Sequence, residues 1–136
     1  MVVLIGFGIS AFAQTSSYED KIFENEKLLI YVQRINGRCI GDKGYQWFAW
    51  LYIVNKTNNE MRVSVKYSDV YKDGRGNNYT RSIPKSETVT LRGKEAKSFQ
   101  ALAESSRAAN CEGHNFIENV ELINYAVKEK NYETTW

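Results

Sequence analysis

Apolar and polar positions alternate most clearly at residues 61–67, where Met61, Val63, Val65 and Tyr67 interleave with Arg62, Ser64 and Lys66. A period of two puts one set on a dry face and the other in water, as in a half-buried antiparallel strand. The same alternation recurs at 87–91, with Val89 and Leu91 predicted inward and Thr88 and Thr90 outward. Residues 45–54 form instead a continuous run of aromatic and β-branched side chains, which predicts a central strand covered on both faces. Shorter apolar segments at 28–32, 79–83 and 96–99 predict further strands, the second of them stopped near Pro84. The last strand is predicted over 116–127, with Ile123, Tyr125 and Val127 sharing one face. Between these lie turn-forming stretches at 55–60, 73–78 and 92–95, rich in Asn, Asp and Gly.

About seven short strands with no convincing helix predict an all-β domain. An immunoglobulin-like antiparallel β-sandwich is the favoured arrangement, and a small barrel is the alternative. The expected division is a leader over 1–13, a polar arm or short helical turn over 14–27, the sandwich over 28–127 and a polar tail over 128–136. Residues 100–115 are expected to form a long loop with at most one helical turn.

At 136 residues, with three Trp, nine Tyr and six Phe, the chain suits one self-sufficient domain. Its first thirteen residues carry no charge, are apolar from Val2 to Ile9 and end in Ala11, Phe12 and Ala13 ahead of Gln14. Small residues at Ala11 and Ala13 fit the cleavage pattern of a secretory signal peptide, and this ending resembles bacterial ones. The pattern departs in one respect, because no Lys or Arg precedes the apolar run. The run is too short to span a bilayer, which takes about 20 apolar residues, so no stable membrane insertion is expected once the leader is cleaved. The expected location is periplasmic or secreted.

Export changes the meaning of the two cysteines. Outside a reducing cytosol cysteines tend to pair, and a Cys39–Cys111 disulfide between two loop-like segments is expected, worth about 4 kcal/mol by loop-closure entropy. Redox chemistry wants closely spaced cysteines, and a zinc site wants three or four ligands where this chain offers the single histidine His114. Neither pattern is present, and no cofactor or metal is indicated.

Charge is uneven but not decisive. Residues 56–97 hold ten basic and five acidic side chains, whereas 98–136 hold three and six, for a net of +2 over the chain. The basic residues fall largely on wet strand positions among acids, and export removes most nucleic acid, so no nucleic-acid partner is expected. Catalysis through His114 would need a partner such as Cys111, three residues before it. Pairs of acids such as Asp69 with Asp73, or Glu118 with Glu121, have no diagnostic spacing. Asn55 and Asn78 head N-glycosylation sequons, a short pattern of low specificity.

The remaining candidates are aromatic. Trp47 and Trp50 lie on opposite faces of one strand, so they cannot form a single platform. If one face is exposed, it marks an interface. The expected function is a non-catalytic module binding an extracellular protein or glycan, with Trp47, Trp50 and His114 as candidate contact residues. A small exported hydrolase or enzyme inhibitor working near His114 is the alternative.

Overall fold

The computed structural model describes residues 13–38, 45–73, 79–103 and 113–129. Seven strands follow one another: β1 (Ala13–Glu24), β2 (Leu28–Arg38), β3 (Tyr45–Asn55), β4 (Met61–Asp73), β5 (Thr80–Leu91), β6 (Ala96–Gln100) and β7 (Gly113–Val127). They form a four-stranded sheet in the order β1-β2-β3-β6 and a three-stranded sheet in the order β5-β4-β7. Every pairing is antiparallel.

The alternation at β4 is realised as expected. Met61, Val63, Val65 and Tyr67 are buried while Arg62 and Lys66 are exposed. Across the core, Leu28, Ile30 and Val32 of β2 and Ala49, Leu51 and Ile53 of β3 face them, and Val89, Leu91 and Ile117 complete the cluster. Burying side chains of this kind contributes about 1.5–3 kcal/mol each. Two inner faces packed in this way make a β-sandwich. Among the described residues no ladder joins one sheet to the other, so the sandwich does not close into a barrel. Its sheet orders also differ from the A-B-E-D and C-F-G orders of an immunoglobulin constant domain.

Three sequence expectations are corrected. The stretch read as an arm or helical turn is strand β1, paired with β2 along its length. Pro84 does not stop a strand: β5 runs through it, with Pro84 opposite Ser68. Proline is tolerated there because β5 is the edge of its sheet and a missing N–H breaks no second ladder. In β7, Ile123 is 51% exposed and does not share a face with Tyr125 and Val127. A register shift between Ser64 and Val65 inserts one residue into β7, so Leu122 and Tyr125 turn inward instead.

The expected Cys39–Cys111 disulfide is also corrected: no disulfide is present among the described residues. Both residues lie outside the described ranges. The expectation rested on compartment and on elimination of other chemistries. Neither sets the separation of two Cα atoms, which a bridge needs within about 7 Å. The leader expected at 1–13 lies outside the described residues except for Ala13, and so does the tail beyond Glu129.

One end of the sandwich is tied by a polar knot. Asn55, fully buried, donates from Nδ2 to the carbonyls of Asn59 at 2.7 Å and Arg92 at 2.8 Å. Its Oδ1 accepts from the Thr57 amide at 2.9 Å and lies 2.8 Å from the Thr57 hydroxyl. The Lys56 amide donates to Lys27 O and the Lys94 amide to Thr57 O, so three turns are joined. Asn25 Oδ1 accepts the Lys27 and Leu28 amides, and its Nδ2 donates to the Tyr125 hydroxyl at 2.8 Å.

Candidate functional site

The register separates the three residues singled out from sequence. Trp47 and Trp50 are both half-buried, on opposite faces of β3. His114 joins Trp47: the Trp47 amide donates to His114 Nδ1 at 3.1 Å. This bond replaces a ladder bond where the edge of β3 passes beyond β6, whose pairing ends at Trp50. Burial pushes the His114 pKa below its ordinary value, which keeps Nδ1 an acceptor. With Nδ1 engaged, Nε2 is the ring nitrogen left for any other contact.

Trp47 also meets Tyr18 edge-on, with ring centroids 5.7 Å apart. The Arg34 guanidinium stands 5.8 Å from the Tyr18 ring and 3.5 Å from Asp20 Oδ2. Tyr18 and Arg34 are register partners, as are Asp20 and Val32, so β1 and β2 position this cluster directly. Arg34 Nε is buried without a hydrogen bond, an arrangement that leaves the guanidinium incompletely satisfied.

The outward face of the first sheet carries the other aromatic group. Tyr31 and Tyr52 are directly opposed across β2 and β3, their rings 4.8 Å apart and within 5° of parallel. Trp50 follows on the same face, opposite Gln33, with Leu29 opposite Val54 at the far side. All of these are half-buried. Toward the other end of the face Ile35 and Phe48, opposed in register, are buried. Burial first, then Glu19 and then Tyr52, push the Tyr31 pKa up to about 12. Burial and Glu19 raise that of Tyr52 as well. Both phenols are thus neutral donors at ordinary pH. Sequence reading placed Trp50 and Tyr52 on one side of β3 but had no way to supply Tyr31 and Glu19. Those come from the β1–β2–β3 register.

A third feature was not anticipated. A shallow groove of about 240 Å³ lies over β4 on the outer face of the second sheet, between β5 and the bulged part of β7. Glu118 and Glu121, named from sequence as a possible acid pair, are each taken by a lysine: Lys72 at 3.2 Å and Lys66 at 3.2 Å. Asp69 is 3% exposed and accepts the Leu102 and Ala103 amides at 2.9 and 3.0 Å, which fixes the chain as it leaves β6. Asn55 of the first sequon is enclosed in the polar knot; Asn78 of the second lies outside the described residues.

Among the described residues no three metal-ligating side chains gather, and no helix is long and apolar enough to cross a membrane. Comparison with known proteins finds no family model, curated protein or solved structure that matches the chain.

Proposed function

We propose that this β-sandwich is an exported, non-catalytic interaction module that engages a protein partner through the outward face of its first sheet. The half-exposed set of Tyr31, Tyr52 and Trp50, on the side of the sheet turned away from the core, carries the reading. Aromatic side chains with an apolar body and a polar tip are enriched at protein interfaces.

Ring orientation favours a protein over a sugar on this face. The Tyr31 and Tyr52 rings pack flat against each other, so they turn edges and hydroxyls outward, whereas a pyranose stacks on an open ring face. Glu19, exposed and close enough to raise both phenol pKa values, adds a carboxylate beside the rings. An Arg or Lys flanked by apolar side chains complements this surface, through cation–π contact and pairing with Glu19. Export rests on the apolar run from Val2 to Ile9 and the small residues at Ala11 and Ala13.

The test is affinity capture from the extracellular and periplasmic fractions, followed by reconstitution with the identified partner in purified form. W50A and E19K should each weaken that complex about tenfold or more, the scale of a lost interface anchor, while both variants keep the wild-type circular dichroism. A complex unaffected by either change would overturn the assignment.

A further inference from the structure

We infer that the open edge of β6 pairs with β6 of a second copy, so that the four-stranded sheets of two chains join into one continuous sheet. Of the four edge strands, three are broken along their length: β1 and β7 by register shifts and β5 by Pro84. β6 pairs with β3 without a shift from Ala96 to Gln100 and contains neither proline nor glycine. Beyond it, the edge of β3 is covered by the chain itself. The Trp47 amide is held by His114, and the Ala49 carbonyl by the Ala101 amide. Among the described residues, β6 is thus the regular edge that the fold leaves uncovered, and such an edge is a template for pairing.

The ladder fixes which of its groups face outward. The Ala101 amide donates to Ala49 O at 3.0 Å and the Asn55 amide to Glu95 O at 2.9 Å. Antiparallel bonds recur at every second residue, so Lys97 and Phe99 turn their N–H and C=O groups toward β3. Ala96, Ser98 and Gln100 turn theirs to the open side, and all three residues are exposed. A copy related by a two-fold axis at Ser98 answers every one of these groups. Ser98 meets the partner's Ser98, and Ala96 meets the partner's Gln100, an isologous form of strand addition. Like charges directly opposed would resist such pairing, and none are. Lys97, the one charged residue of β6, lies opposite the partner's Phe99, and its Nζ is drawn back to Thr90 O of its own chain at 3.2 Å. An axis normal to the sheet keeps both outer faces on one side, with Tyr52 and the partner's Tyr52 about 14 Å apart across the intervening β6 strands. The dimer presents two aromatic patches side by side, and the pairing stands or falls independently of what binds them.

The test is sedimentation equilibrium of the full chain from about 10 µM to about 1 mM, the range expected of a contact one short strand long. The weight-average mass should rise from one chain toward two. In hydrogen exchange the Ala96, Ser98 and Gln100 amides should slow several-fold as concentration rises, whereas Lys97 and Phe99, already bonded to β3, should not change. S98K sets like charges together at the axis and should weaken association about tenfold or more, as should S98E, and mixing the two variants should restore it. S82K, on the edge of β5, should leave association unchanged. A chain that stays monomeric throughout, equal slowing at Phe99 and Ser98, indifference to S98K, failure of the mixture to associate, or weakening by S82K would each overturn the proposal.

Discussion

The Nδ1 atom of His114 accepts the Trp47 amide at 3.1 Å, so one imidazole on β7 stands in for a strand at the unpaired edge of β3. The bond needs Nδ1 unprotonated. Burial lowers the pKa of His114 below 6.5 in the folded chain. As pH falls below 6.5 the unfolded chain takes up the proton first, and stability is lost down to the folded pKa. Above 6.5 both states are neutral and this contribution is complete. Urea denaturation at pH 7.5 and 5.0 should show wild type weakened by acid. H114N keeps an acceptor near Nδ1 but does not titrate, so its acid-induced loss should be smaller. Equal losses in the two proteins would show that His114 does not report on this contact.

The buried amide of Asn55 makes a sharper prediction. N55A strips the Asn59 and Arg92 carbonyls and the Thr57 amide of their partner and should cost about 3 kcal/mol in chemical denaturation. N55D should cost more, since a carboxylate cannot donate and would face those carbonyls as a buried charge. If N55D proves the milder of the two, the donor role of Nδ2 is wrong.

Asp69 supplies two acceptors to the chain leaving β6. D69A should lower stability by about 2 kcal/mol through unsatisfied amides. Hydrogen exchange at Leu102 and Ala103 should accelerate more than exchange at Val63. Uniform acceleration would point to global loosening instead.

Alkali provides a test of the tyrosine pair. Tyr31 has its pKa raised to about 12, so the unfolded chain loses this proton first above pH 10 and stability falls as pH rises from 10 toward 12. Spectrophotometric titration should show late-ionising tyrosines, reduced in number by Y31F. E19Q should bring the ionisation of both Tyr31 and Tyr52 to lower pH, since Glu19 contributes to each shift.

How much of this was visible in the sequence depends on which side of each strand is wet. β4 announced itself because its inner face is apolar and its outer face charged. β1 did not, since residues 16–21 are all exposed and Ile22 and Phe23 are the first to pack on the core. A polar edge strand has no hydrophobic period to detect. The seven predicted strands and the seven observed ones are accordingly different sets: two predicted segments on either side of Pro84 are one strand, and β1 takes the vacated place. The β7 bulges were equally hidden, because an inserted residue leaves no compositional mark. They decide that Leu122 rather than Ile123 faces inward. For the candidate sites, parity along β3 correctly separated Trp47 from Trp50. What each would meet depended on partners at distant positions, His114 for one and Tyr31 and Glu19 for the other.

Both Pro84 on β5 and the bulges of β1 sit on outer edges of the two sheets, and their shared effect concerns crowding. An open strand edge offers unpaired backbone groups to any neighbour able to extend the sheet. On β5 the ring at Pro84 interrupts that row near its middle. On β1 the register breaks at Gln14/Ser16 and Lys21/Phe23, with Glu19, Asp20 and Lys21 between them, break the other. Of the four sheet edges, those at β1 and β5 are in this way poor templates for a second copy of the chain.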